Sequence, residues 1–494
     1  MANQHTLIQA RALLSGVAIF LFTAFTADAA TYSAASANVS DIQAQVDLAQ
    51  DGDTIMVPAG TVSWGTPLDI TKNITVRGAG IGQTIILDEV PRTTGSYTMR
   101  IALDKDLPAR FTGFEFRGGT VVTKPNAGGV IRLRGMTGIT HQFRLDHCLF
   151  DNLHGLPLKF TDLTGVMDHC TVNTIKGQCM QVYHYTWGGQ NFGHGSWADL
   201  PYWGTDKFLF FEDDTFTISG GNRAAIDCYE GARVVVRHNT FNDAQVSAHG
   251  TEGQGRGAKQ LEIYNNIFTN SARQNAGQIR SGSVVIHDNI YNNYTKGMML
   301  EVYRQFINMV KWGTSTGQNV WDVNNFVLAP LEQGTHTGSN NNRVLVDTTK
   351  NWTRNQWETV ESRKGCSYIL RNITKNRQSV ILSNDLHTVS YFLTAPNLRF
   401  DHGDRYQIWK VVTTLDQPGQ GQSDLLFGLP AHPKGWPHAV LEPCYSWNNK
   451  DQNGIDMDLG TFEGSMEEGR DFFNRTQKLN YAPYTYPHPL AVVP

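Results

Sequence analysis

The sequence predicts an all-β chain folded as a right-handed, single-stranded parallel β-helix, and three observations lead there. First, a short turn unit recurs as Asp146-His147-Cys148-Leu149-Phe150, Asp168-His169-Cys170-Thr171-Val172, Glu212-Asp213-Asp214-Thr215-Phe216, Arg237-His238-Asn239-Thr240-Phe241, Tyr264-Asn265-Asn266-Ile267-Phe268 and His287-Asp288-Asn289-Ile290-Tyr291. Second, its central residues step by 22, 44, 25, 27 and 23, which are coil-length periods, the 44 holding one coil plus a long loop. Third, each unit follows a short apolar or alternating strand, such as 207–211, 233–237 or 260–264. The helices of about 10 to 15 residues that βαβ units need are missing.

The repeated centre has a physical meaning. Equivalent positions of a solenoid stack about 4.8 Å apart, so Asn239, Asn266 and Asn289 can hydrogen-bond from coil to coil as a ladder. Cys148, Cys170 and Asp214 hold the same position on earlier coils. The two cysteines are read as packed thiols, with a disulfide as the alternative.

The N-terminus reads as an export signal. Arg11 precedes an apolar run from Leu13 to Phe22, and small residues follow at Ala27-Asp28-Ala29-Ala30, so residues 1–30 are expected to be removed. The run falls short of the roughly 20 residues of a membrane span, so no membrane-spanning body is expected. The protein is expected to be secreted, whether extracellular, periplasmic or at the cell surface. With 41 basic and 45 acidic residues the chain is near neutral at −4, which gives no reason to expect nucleic acid as a partner. Six cysteines do not make a dense disulfide framework. A monomer is expected.

Ile42-Gln43-Ala44, then Asp51-Gly52-Asp53-Thr54-Ile55-Met56-Val57-Pro58-Ala59-Gly60 and Ile70-Thr71-Lys72-Asn73-Ile74-Thr75-Val76-Arg77-Gly78, resemble the N-terminal cap and first coils of the pectate-lyase-like β-helix superfamily. The resemblance covers about residues 39–325 and matches no single enzyme family. It implies fold; the superfamily's chemistry includes lyases, hydrolases, esterases, epimerases and non-catalytic proteins.

After each ladder turn a further strand should lie on one common face, at 155–160, 177–185, 223–230, 245–252, 274–280 and 297–304. Period-two reading points Tyr183, Tyr185, Asp227, Tyr229, His249, Thr251, Gln278, Arg280, Glu301 and Tyr303 outward. The insertion between Tyr185 and Lys207 adds Trp187, Phe192, His194, Trp197, Tyr202 and Trp203, aromatic faces of the kind that stack on sugars.

These residues predict a carbohydrate-active protein acting on a polysaccharide. A lyase on a uronate-containing glycan needs a base and a cation to neutralise the carboxylate, for which His249, Arg256, Arg280 and Arg223 are candidates. A hydrolase needs two carboxylates, for which Asp227, Glu252 and Glu301 are candidates. The catalytic set is thus Asp227, His249, Glu252, Arg256 and Arg280. The substrate-binding set is Tyr183, Tyr185, Trp187, Trp197, Trp203, Arg223, Tyr229 and Glu301. A lyase is the favoured reading; a β-helix glycoside hydrolase and a non-catalytic binding or surface protein are the alternatives. Asp213, Asp214, Asp227 and Glu230 are candidates for the calcium site that the resembling lyases suggest. His147 and His169 read as solvent-facing neighbours rather than zinc ligands.

The β-helix is expected over residues 31–330. A small β-rich domain or insertion is expected at 337–410, from its short strands and polar turns. The Pro- and aromatic-rich residues 411–494 are expected to wrap irregularly along the solenoid.

Overall fold

The computed structural model describes residues 29–91, 95–121, 129–175, 177–187, 201–220, 224–250, 257–271, 275–301, 330–357, 366–391, 398–412, 418–419, 442–461, 466 and 468–492. Three parallel sheets run along the solenoid, each coil giving one strand to each. The first has twelve strands, from Thr31–Ser33 to Phe472–Asn474. The second has ten, from Gly60–Trp64 to Lys450–Asp451, and the third ten, from Leu68–Ile70 to Gly460–Thr461. This is the parallel β-helix that the repeats and the resemblance imply, with the right-handed crossovers such connections take.

Helix α1 (Val39–Leu48) joins the core through Ile42 and Val46. Lys72 Nζ donates to the carbonyls of Val46, Asp47 and Ala49 at 2.9, 2.8 and 2.6 Å, satisfying the helix C-terminus where a cation is favoured. Among the described residues no helix is long and apolar enough to cross a membrane.

The turn between first and second sheets explains the repeat. His147, His169, Asp213, His238, Asn265, Asp288 and Asn448 all lie at φ between 50° and 58°, a left-handed conformation that Asn, Asp and His tolerate best. The next residue turns inward as the ladder. Asn239 Nδ2 donates to Asn266 Oδ1 (3.0 Å), Asn266 to Asn289 (2.9 Å) and Asn289 to Asn449 (2.9 Å). Each Oδ1 also accepts the preceding rung's backbone N–H, so a turn with no sheet partner stays satisfied in a buried setting. Two positions further on, Phe216, Phe241, Phe268 and Tyr291 stack inward with ring centroids 5.0, 4.5 and 5.2 Å apart.

Cys148 and Cys170 are buried free thiols, as are Cys179, Cys228 and Cys444. Burial and the neighbouring Cys148 thiol push the Cys170 thiol well up, keeping it protonated and inert.

Two boundaries move. Asn449 shows that the solenoid resumes after the interruption: Cys444–Trp447 pairs with Ser283–His287, Lys450–Asp451 with Ile290–Asn292, and Gly460–Thr461 with Lys296–Leu300. The described residues between 444 and 474 therefore belong to the solenoid rather than to an irregular wrap. Their unit, Trp447-Asn448-Asn449-Lys450, lies 160 positions past Asn289 and escapes a search for periods near 25. The wrap proper begins after Asn474 and crosses the outward face of the first sheet. There Arg237, wholly buried, pairs with Glu212 at 2.6 Å and donates to the carbonyls of Tyr484 and Thr485 at 2.7 and 2.8 Å. Tyr481 donates to Glu262 at 2.6 Å.

The interruption holds a six-stranded antiparallel sheet, from Glu332–Thr335 to Arg405–Val412, with its own core of Leu345, Trp352, Leu370, Tyr391, Phe400 and Tyr406.

Asp214 is the weak rung. Its Oδ1 accepts from Cys170 N at 2.7 Å, its Oδ2 is buried without a partner, and burial pushes its carboxyl well above the ordinary range. A raised carboxyl stabilises the fold below the unfolded value near 3.9 and loses that contribution as pH rises through the folded value. Asp214→Asn restores a donor, so it is expected to raise stability by about 1–3 kcal/mol at neutral pH. It should also remove part of the decline above about pH 4, as read by urea unfolding from pH 4 to 8. Parallel pH profiles for the two proteins would refute this.

Candidate active site

The third sheet carries the candidate site. Register aligns Arg100, Arg132, Lys159, Gln181, Asp227, Ser247 and Gln278 in one outward column. A second column runs through Thr161, Tyr183 and Tyr229, and the next two coils continue it with His249 and Arg280, each directly after a paired strand residue.

Asp227 is the hub. It is 1% exposed and accepts from Gln178 Nε2 at 2.6 Å and from the Tyr229 hydroxyl at 2.7 Å. His249 Nδ1 lies 3.3 Å from its Oδ2, and Arg280 Nη2 3.9 Å from its Oδ1. Arg280 Nη2 also meets His249 Nδ1 at 2.6 Å. A guanidinium only donates, so this contact uses the Nδ1 lone pair and makes the resting imidazole a neutral acceptor. The imidazole stacks on Tyr229 (4.1 Å, 20°), Tyr229 on Tyr183 (4.8 Å, 13°), and Lys159 Nζ sits 4.2 Å over the Tyr183 ring. The outcome is an ordered stack of cation, two phenols and imidazole, with a second cation hydrogen-bonded at the imidazole's edge.

Burial raises the Tyr183 and Tyr229 hydroxyls, Asp227 adding to both, and pushes Tyr185 up to about 12. Burial pushes Glu230 up to about 7, while the Lys159 ammonium pulls it down. Gly257 lets the chain return close to His249: a Cβ there would lie 2.3 Å from the His249 carbonyl, which Ala258 N and Ser281 Oγ hydrogen-bond at 3.0 and 2.7 Å.

Of the residues singled out by sequence, Asp227, His249, Arg280, Tyr229, Tyr183 and Tyr185 come together here. Glu301 follows on the next coil, its N–H donating to Ile279 O at 2.9 Å. Trp187 belongs to the 3-10 turn Tyr185–Trp187 beside them. Trp197, Arg223, Glu252 and Arg256 lie outside the described residues, as do residues 1–28 of the expected signal.

Trp203 does not belong to this site. The chain leaving the insertion enters the first sheet at Leu209–Glu212, so Trp203 covers that face, donating to Glu442 at 2.7 Å and stacking on Phe208. The four calcium candidates also separate. Asp214 is a ladder rung and Asp213, on the same turn, accepts from Tyr486, whereas Asp227 and Glu230 sit at the third sheet. They do not form one cation site. Asp146, His147 and Asp168 do cluster, but Arg110 and Arg144 take up the two carboxylates and the imidazoles of His147 and His169 stack outside, 5.0 Å apart.

Gln178, Gln181 and Lys159 were missed by the sequence reading. Lys159 is the outward residue of its strand, so period two alone could have found it. The reach of Gln178 to Asp227 depends on coil stacking and carries no signal within one strand.

No protein-family model and no curated protein matches the chain. Among solved structures it is similar to an alginate lyase from a Paenibacillus strain at 17% identity, covering 55% of this chain and 97% of that one, TM-score 0.30. It is similar to a pectin methylesterase from Erwinia chrysanthemi at 12% identity, covering 56% and 82%, TM-score 0.25. The catalytic domain of an α-1,3-glucanase, in complex with nigerose, aligns at 11% identity, covering 55% and 60%, TM-score 0.24.

Glu230 is expected to titrate near pH 7 in carboxyl-labelled protein, the signal being assigned by its loss in Glu230→Gln. Removing the opposing ammonium in Lys159→Met should move the midpoint upward. An ordinary midpoint near 4.3 would overturn the burial argument.

Proposed function

We propose that the protein is an exported, carbohydrate-active enzyme, a lyase that cleaves a uronate-containing polysaccharide by β-elimination at the third sheet. The observation that carries the reading is the buried Asp227–His249–Arg280 group, with a phenol hydrogen-bonded to the same carboxylate. Elimination asks for a neutralised carboxylate, a base for the C5 proton and a proton for the departing C4 oxygen. Arg280 supplies the first. When a substrate carboxylate draws its guanidinium off Nδ1, the freed Nδ1 lone pair takes the C5 proton, and Asp227, 3.3 Å away, holds the imidazolium that forms. The C5–H electrons form the C4=C5 bond and the C4–O bond breaks. Tyr229, donating to Asp227 at 2.7 Å and stacked on the base, protonates the leaving oxygen.

Asp227 accepts from Gln178 and Tyr229 and has His249 Nδ1 beside it at 3.3 Å, which suits a positioning residue better than a nucleophile. One observation favours a hydrolase instead: Glu230, at about 7, has the acidity of a proton donor. The three proteins named above act on alginate, pectin and α-1,3-glucan by their names, and cover both chemistries.

The test follows ultraviolet absorbance of unsaturated uronate together with reducing-end release on uronate and neutral glycans. Rising absorbance is expected, falling about 10²–10⁴-fold in His249→Ala or Tyr229→Phe. Reducing ends without absorbance would favour the hydrolase, and silence in both assays a binding protein.

A further inference from the structure

We infer that Arg100, Arg132 and Lys159 form a track for the carboxylates of a polyuronate chain, running from the Asp227 cluster toward the N-terminal end of the solenoid. The three occupy one outward column on consecutive coils, paired Arg100 to Arg132 and Arg132 to Lys159, with Gln181 and Asp227 next in line. Parallel strands lie about 4.8 Å apart, so the three strand positions that carry these cations recur at that step along the axis. Like charges directly opposite on neighbouring strands repel, and the repulsion is felt: after burial, Arg132 is the largest influence lowering Lys159. Asp69 offsets Arg100 at one end of the column and Glu230 opposes Lys159 at the other, and the cations between them offer an anionic chain a line of positive charge.

The surroundings suit a sugar chain as well as its charge. Tyr97 stands between Arg100 and Arg132, whose guanidinium carbons lie 5.1 and 4.9 Å from its ring centre, and Lys159 leads onto the Tyr183–Tyr229–His249 stack. Charged heads and aromatic faces thus occupy two neighbouring columns of one sheet that lead to the cluster. Arg100 is also fixed by Asp69 at 2.7 Å, and half-exposed Arg132 by the Ser96 carbonyl at 3.3 Å, so the heads are preorganised.

The track extends the lyase reading, yet its test needs no turnover. Retardation of the full-length protein in gels containing sodium alginate or polygalacturonate is measured across a salt series, alongside the neutral glucan dextran. The variants are Arg132→Gln, the triple Arg100→Gln/Arg132→Gln/Lys159→Met, and Arg354→Gln on the antiparallel domain as a control. The triple variant is expected to bind the polyuronate roughly tenfold more weakly at low salt, with Arg132→Gln intermediate and the differences closing as salt screens them. Undiminished retardation of the triple, or an equal loss with Arg354→Gln, would overturn the track. Melting curves confirm folding, and Arg132→Gln alone decides the matter if the triple variant unfolds. Track-dependent binding without unsaturated product would sink the lyase chemistry and leave the track standing; cleavage with unaltered binding by the triple would do the reverse.

Discussion

Coil-to-coil stacking, with equivalent residues held about 4.8 Å apart, is the constraint on which this protein depends. Its sharpest expression is the run Asn239, Asn266, Asn289 and Asn449, where each side chain satisfies the turn of the coil before it. The left-handed residue ahead of each rung and the inward aromatic after it follow from the same turn. The stack also explains how an antiparallel sheet can sit within the solenoid. Asn449 only has to find the rung left by Asn289, and the backbone of Cys444–Trp447 then completes the ladder of Ser283–His287.

Stacking imposes a harder demand on side chains facing outward, because whatever occupies a column meets its own kind or its complement at that short distance. The first sheet answers with opposite charges and a cover. Arg110 meets Asp146, Arg144 meets Asp168, Arg237 meets Glu212, and the C-terminal segment closes over the last of these. The third sheet answers differently. Its columns place cation beside cation and ring upon ring before reaching Asp227, His249 and Arg280. The first arrangement is satisfied internally and covered, while the second turns charge and aromatic surface outward.

Much of this was legible in the residues because a solenoid is nearly one-dimensional. A period near 25 and an alternating strand together determine which residues turn, which pack and which share a face. On that basis Asp227, Tyr229, His249 and Arg280 could be placed on one surface. The reading failed where sequence distance and spatial distance part. Trp203 was grouped with the site because it lies in the insertion that begins at Tyr185, but that insertion starts on the third sheet and ends on the first. Asp213 and Asp214 were grouped with Asp227 because they are near in sequence, yet they belong to a turn on another corner.

The amino-acid sequence by itself determined the coil, its ladder, its buried thiols and the strands of the candidate face, since each depends on local turn geometry and a short repeat. Only the tertiary structure decided that Asn449 resumes the ladder, that Gln178 reaches Asp227, that Arg280 occupies Nδ1 of His249, and that Arg100, Arg132 and Lys159 stand in one line. Those relations connect residues a coil or more apart, so they depend on the register of neighbouring strands rather than on any pattern within one.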